Sequence, residues 1–325
     1  MELDDLDFLG SGLNRPECVL AHVSGKLFVP DWTEGGGVAV VEPDGRVRRI
    51  LAPMSASPLR PNGIALLPGG RFLLAHLGPE TGGLFELASD GSVRPILTEL
   101  EGRALPPSNF VFRDAEERLW LTISTRRVPR ALGYRPSVAD GFIVLLDRKG
   151  ARLVADGLGY TNECIVHPDG RRLFVNETFA RRLIAFDIGA DGALGNKTCI
   201  ATFGPGTFPD GLSFDRDGNA WITSIVSNRV IRVAPNGEQH VVLQDCPAAH
   251  LEDVERAFQA GTMGRPHLDR AAGRRLANIS SLAFGGADLK TVYLGCLLGD
   301  RVAVGRSDVP GHPLPHWTCP LGALA

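Results

Sequence analysis

The six cysteines of this chain (Cys18, Cys164, Cys199, Cys246, Cys296 and Cys319) include no CxxC pair, the spacing that grips zinc. Several lie in strand-like runs, where a free thiol behaves as a small apolar side chain, and a reduced, cytoplasmic protein is expected. No apolar run approaches the roughly 18 residues that a membrane-spanning helix needs. The acidic start MELDDLDFLG lacks the basic and apolar regions of a secretory leader. Neither sign of charge dominates; a formal net charge of −3 leaves no basic footprint for nucleic acid. There is no GxSxG elbow, HExxH pair or P-loop, which counts against serine-hydrolase, zincin and nucleotide chemistry. Nucleic acid and membrane are therefore not expected as partners; the expected partner is a small-molecule substrate.

What the chain does have is a phrase that returns six times. It reads RPECVLAHVSGKLFV from Arg15, RPNGIALLPGGRFLL from Arg60 and PSNFVFRDAEERLWL from Pro107. It continues as TNECIVHPDGRRLFV from Thr161, PDGLSFDRDGNAWIT from Pro209 and ISSLAFGGADLKTVYL from Ile279. Each is an apolar run, a turn and a second run, and a second such pair follows, as in GVAVVEPDGRVRRIL. Short β-branched and aromatic runs around Gly-containing turns are hairpins. Two hairpins make a four-stranded blade, and periods of about 40–50 residues fit propeller blades. The expected fold is therefore all-β: a six-bladed β-propeller with four antiparallel strands per blade, residues 1–325 forming one domain. The stretch Leu6–Leu9 is expected to complete the last blade and close the circle between the chain ends. An ordered N-terminal arm is the alternative, with the tail around His316-Trp317 competing for that edge.

Aligned on their apolar residues, the six phrases put Glu17, Asn62, Asn109, Asn162, Asp210 and Ser280 in one column. One column in a closed repeat is one level around an axis. All six side chains are oxygen donors, which suits Ca²⁺ or Mg²⁺ better than zinc. Glu17 and Asp210 would cancel a divalent charge and Asn162 would add a neutral oxygen; Asn109 is either a ligand or a substrate contact. Asp-Gly is an ordinary turn dipeptide, but Pro209-Asp210-Gly211 precedes an innermost strand, whereas Pro168-Asp169-Gly170 lies between two strands of a hairpin.

At this point the chain resembles the senescence marker protein (regucalcin)/gluconolactonase family of six-bladed propeller hydrolases. The resemblance runs along nearly the whole chain and is carried by PEC with Glu17, PSN with Asn109, TNECIVHPDGRRLFVNET with Asn162, FPDGLSFDRDGNAWIT with Asp210, and SLAFGGADLKTVYL. It implies a divalent cation, usually Ca²⁺ (Mg²⁺, Mn²⁺ or Zn²⁺ being alternatives), held by Glu17, Asn162 and Asp210. It also implies that Asn109 touches substrate or a metal-bound water and that Asp210 is the general base or the group that positions the nucleophile. The implied reaction is hydrolysis of a lactone or related ester. Two departures stand out. Sugar-lactone members often read Arg-Pro-Asn-Asp where this chain has Pro107-Ser108-Asn109-Phe110, and Asn-Gly where it has Asn162-Glu163. These losses point to a substrate less polar than an aldonolactone.

Chain direction puts the loops between second and third strands on the same mouth as the column. Residues 126–140, RRVPRALGYRPSVAD, bring Arg126, Arg127, Arg130 and Arg135, which can receive an anionic group or simply be solvated, and Tyr134, which can stack. Residues 245–277 contain LEDVERAFQAG, whose Leu251, Val254 and Phe258 fall at helical spacing. That short helix is read as a cap over the tunnel, with Phe258 and Met263 as pocket walls, or as a packing element. His76 ends the second strand of blade two and is a candidate acid or base, or a bystander. The substrate contacts expected around the metal are thus Asn109, Asn62, His76, Arg126, Tyr134, Phe258 and Ser280. Phosphotriester hydrolysis or a rearrangement on the same metal, and a non-catalytic metal-stabilised binding propeller, are the rival readings.

Overall fold

A computed structural model describes all residues, 1–325. It contains six four-stranded antiparallel sheets arranged as the blades of a propeller, and in the first five each strand pairs with the next in sequence. Blade four is representative: Thr161–Val166 is innermost, followed outward by Arg172–Glu177, Arg182–Ile188 and Leu194–Thr202. Its innermost strands are buried on both faces, while the outermost strand is mostly exposed. This gradient explains why the apolar signal in the sequence is strongest at the start of each repeat. The hairpin turn at Pro168–Gly170 is closed by Gly170 in the left-handed region and by Asp169 Oδ1, which accepts the Arg171 amide at 2.9 Å.

Closure is made by the N-terminus. Asp7–Leu9 pairs antiparallel with Val302–Arg306, the third strand of blade six, and Leu6 is buried in that blade's apolar cluster. The tail does not compete for this edge. It runs across the far end of the propeller, where the first hairpin turns of the blades lie. There the Val23 amide donates to Trp317 O, the Gly69 amide to Pro320 O and the Arg216 amide to Pro310 O. Leu314, Pro315 and His316 then plug the axial tunnel beneath the innermost strands. All six cysteines are free, and no helix is long and apolar enough to cross a membrane.

At the other end of the tunnel, the innermost strands share one irregularity. Thr161 faces Glu177 but Cys164 faces Val175, three steps on the inner strand against two on its partner. The same one-residue shift falls between Pro61 and Ile64, Ser108 and Phe110, Pro209 and Leu212, and Ile279 and Ser281. A bulge of this kind leaves its extra residue out of the ladder and re-aims it. Asn62, Asn109, Asn162, Asp210 and Ser280 all sit in these bulges; Glu17 precedes the short strand Leu20–Ala21.

Both insertions cover this end. The longer one forms helix α1 (Ala248–Gln259) and a short helix α2 (Arg265–Asp269). Val254 and Phe258 of α1, with Met263 and Leu268, join Tyr134 of the shorter insertion and Phe179 and Phe208 of the blades in one apolar cluster. Arg181 clamps α1 through both oxygens of Glu255, at 3.0 and 2.6 Å. Burial alone would raise the Glu255 pKa, but hydrogen bonds from Arg181 and Gln259 hold it down to about 2. The two insertions touch through Arg135 Nη1, which donates to Met263 O at 2.6 Å.

If the N-terminal strand is part of the sixth blade, Leu6→Ala should lower global stability by about 3 kcal/mol, the usual cost of truncating a buried leucine. Guanidinium denaturation measures this directly. A loss below about 0.5 kcal/mol would mean that the N-terminus is not structurally integral.

Candidate functional site

The bulged residues converge. Glu17, Asn109, Asn162 and Asp210 line one cavity of about 30 Å³ on the axis. Their relative exposures are 7%, 3%, 5% and 3%, so the only solvent they meet is in that cavity. The glycines that follow Asn62 and Asp210 are not turn glycines, since neither is in the left-handed region. A Cβ on Gly211 would stand 2.6 Å from Ser281 Cα, and one on Gly63 would stand 2.6 Å from Phe110 Cα. They are glycine because the neighbouring innermost strand passes too close for a side chain.

Second-strand residues fix the functional groups. Asn176 Nδ2 donates to Asp210 O and Gly211 O, both at 3.0 Å, which holds the Asp210 backbone. Asn162 Nδ2 donates to Thr178 Oγ1 at 3.1 Å, and Thr178 Oγ1 donates in turn to Pro209 O at 2.8 Å. The amide of Asn162 is thereby oriented with its Oδ1 left without a protein donor. Asn62 Nδ2 reaches Asn109 O at 3.1 Å and Asn109 Oδ1 at 3.5 Å, leaving Asn109 Nδ2 to donate elsewhere.

Three guanidinium groups complete the polar wall: Arg15, Arg130 and Arg265. Arg15 lies over the Trp32 ring at 4.4 Å and its Nη2 is 3.4 Å from both Glu17 Oε2 and Asn62 Oδ1. Charge-assisted pairs normally close to about 2.7–2.9 Å. Glu17 is therefore not committed to Arg15. Asp210 receives no hydrogen bond on its carboxylate. Burial pushes its pKa well above the ordinary range, and the charges of Glu17 and Glu163 add to this, while Arg15 and Arg130 oppose it. No group of three or more His, Cys, Asp or Glu side chains able to hold a metal occurs in the chain. A cation here would need the amide oxygens beside its two carboxylates.

Of the ten residues expected from the sequence as ligands, catalytic groups or substrate contacts, five line the cavity: Glu17, Asn109, Asn162, Asp210 and Tyr134; of the four arginines of the 126–140 insertion, Arg130 does. The other five of the ten do not. Asn62 holds Asn109 and faces Arg15. Ser280 donates to Glu17 O at 2.9 Å and so braces the ring. His76 accepts the Arg60 amide at 3.0 Å and meets Phe85 edge-on, away from the cavity. Arg126 pairs with Asp156 at 2.7 Å and covers the Phe142 ring. Phe258 packs one layer behind, against Phe208 and Phe179. Missed by the repeat were Arg15, Arg265, Tyr160, Phe179 and Leu268. Arg15 could have been found, because it immediately precedes the Pro16-Glu17 pair.

Comparisons with known proteins agree with this architecture. The family model described as the SMP-30/Gluconolactonase/LRE-like region matches residues 15–250. The 6-deoxy-6-sulfogluconolactonase of Pseudomonas putida is 25% identical over 162 residues, covering 49% of this chain and 46% of that protein. The chain thus spans about half the length of that curated relative. A gluconolactonase from Xanthomonas campestris superimposes with a TM-score of 0.66 at 20% identity, over 94% of this chain and 89% of that one. A calcium-binding regucalcin from Agrobacterium tumefaciens does so with a TM-score of 0.66 at 17% identity, over 95% and 97%. At these identities the superpositions establish the fold.

Glu163 takes the position that glycine holds after Asn62 and Asp210. Its Oε2 accepts the Leu212 amide at 2.8 Å, and burial, opposed by that bond and one from Ser281, raises its pKa to about 8. The unfolded chain gives up this proton near 4.5, its ordinary value. Between those values only the folded chain holds the proton, so stability falls as pH rises. Denaturant titrations from about pH 5 to about pH 8 should show this loss in the parent and a smaller one in Glu163→Gln. An identical pH slope in both proteins would assign the effect to other groups.

Proposed function

The chain belongs to the SMP-30/Gluconolactonase/LRE-like family, and on that premise we propose that it is a divalent-metal-dependent hydrolase of lactones or related esters. The observation that carries this reading is Asp210: a carboxylate 3% exposed, with no hydrogen-bond donor, facing a cavity it shares with Glu17 and Asn162. An ionised carboxylate left bare in such a place is costly. A hard cation removes the cost, and the available donors, two carboxylates and oriented amide oxygens, match Ca²⁺ chemistry. Glu17, Asn162 and Asp210 would hold the ion. When bound, it supplies positive charge that polarises the substrate carbonyl.

The remaining work falls to side chains. Asp210 takes a proton from the attacking water as the water oxygen bonds to the carbonyl carbon, and returns it to the ring oxygen when the C–O bond breaks. Arg15 and Arg130 favour the ionised form that this role requires. Asn109, with its Oδ1 turned toward Asn62, presents Nδ2 to the substrate. Tyr134 stacks on Phe179 at 4.6 Å and keeps one wall dry. A cavity of about 30 Å³ holds about two waters, whereas small-molecule pockets run to hundreds of cubic ångströms. A substrate larger than that therefore needs the lining to rearrange.

The test is a panel of lactones, aryl esters and phosphotriesters with and without Ca²⁺, paired with calorimetric Ca²⁺ titration. Asp210→Asn should cut kcat/KM by about 10²–10⁴-fold, the range for losing a general base. It should also weaken Ca²⁺ binding. Full activity in that variant would refute the assignment, and Ca²⁺ binding without turnover across the panel would favour a binding propeller.

A further inference from the structure

Four arginines enter the mouth on the 126–140 insertion, and three of them are spent. Arg126 is paired with Asp156, Arg127 with Asp140, and Arg135 donates to the carbonyls of Tyr134 and Met263. Arg130 alone has neither a carboxylate within ion-pair distance nor a backbone carbonyl as partner. Its one hydrogen bond runs from Nη2 to Ser124 Oγ at 3.1 Å, and its Nε is buried without any partner. The guanidinium lies over the Tyr160 ring at 5.5 Å and lines the same cavity as Asp210 and Glu17. Ser124 is fully buried, so the arginine is tethered to a fixed point rather than free in solvent.

A half-buried guanidinium whose Nε is buried and idle is a costly arrangement that an anion relieves. Within the cavity Arg15 already leans on Glu17, and any cation held by Glu17 and Asp210 would cancel the negative charge that faces Arg130. Arg265, at the rim and half-occupied by Asp269 at 2.7 Å, adds a second positive group on the approach. A guanidinium fork matches the planar or tetrahedral oxygens of carboxylate, sulfonate and phosphate.

We infer that the substrate is a lactone or ester carrying an oxyanion remote from the scissile bond, and that Arg130 receives that oxyanion and sets specificity. This rests on the hydrolase reading above. Its test separates the two by comparing a neutral δ-lactone with the same ring bearing a carboxylate or a sulfonate. The parent protein should prefer the charged lactones in kcat/KM by about 100-fold, the size of one charge-assisted hydrogen bond in a buried site. In Arg130→Gln that preference should fall below about 10-fold, and Arg130→Lys should keep part of it. Comparing carboxylate with sulfonate identifies which oxyanion the fork prefers.

A second readout does not depend on turnover. Methanesulfonate titrated calorimetrically into the metal-free protein should bind the parent and not Arg130→Gln, with matched thermal midpoints showing that the variant is folded. Turnover with equal kcat/KM for neutral and charged lactones would overturn the inference while leaving the hydrolase standing. So would a preference unchanged in Arg130→Gln. Methanesulfonate binding without turnover of any lactone would keep the anion site and sink the hydrolase; absence of both sinks both.

Discussion

The register shift at the head of each innermost strand is the constraint on which the site depends. A regular ladder would send alternate residues to the two faces of a blade, into the packing between neighbours. One extra residue on the inner strand breaks that alternation once, and the released side chain points along the axis. Because the shift recurs in blades two to six, the residues released there belong to one level. Glu17 reaches the same level by a different route, from a chain segment whose preceding Arg15 adopts a positive φ of 62°. Asn176 on the second strand of blade four, and Thr178 just past its end, then hold the released groups in place.

The ring was legible because repetition is a signal that sequence preserves. Six apolar phrases in register gave the blades, the N-terminal strand and the level at which Glu17, Asn109, Asn162 and Asp210 meet. What lies above the ring has no period, so spacing says little about it. Phe258 was rightly placed on an apolar helix face, but its spacing could not reveal that Phe179 and Phe208 stand between it and the axis. His76 ends the correct strand, yet its ring is held by the Arg60 amide and Phe85. Among clustered arginines, only partners distinguish a spent side chain from a free one, and partners such as Asp156 and Asp140 are tertiary facts. The expectation of a less polar substrate rests on the column alone; Arg15, Arg130 and Arg265 line the same cavity and lie outside that column.

The electrostatics of the axis follow from the same crowding. Glu17, Asp210 and Glu163 are all nearly excluded from solvent; the charges of Glu17 and Glu163 make ionisation of Asp210 harder, and Glu17 does the same to Glu163. Two positive groups, Arg15 and Arg130, oppose this for Asp210 without forming a tight pair with it. An acid in that position is poised rather than locked, and its charge state responds to whatever occupies the cavity.

The tail that plugs the far end of the tunnel has one more implication. With Leu314, Pro315 and His316 closing the base, the axis is a well and not a channel. Anything admitted at the rim has to depart through the same opening, past the elements that admitted it. Traffic in the two directions therefore shares a single gate beneath the two insertions.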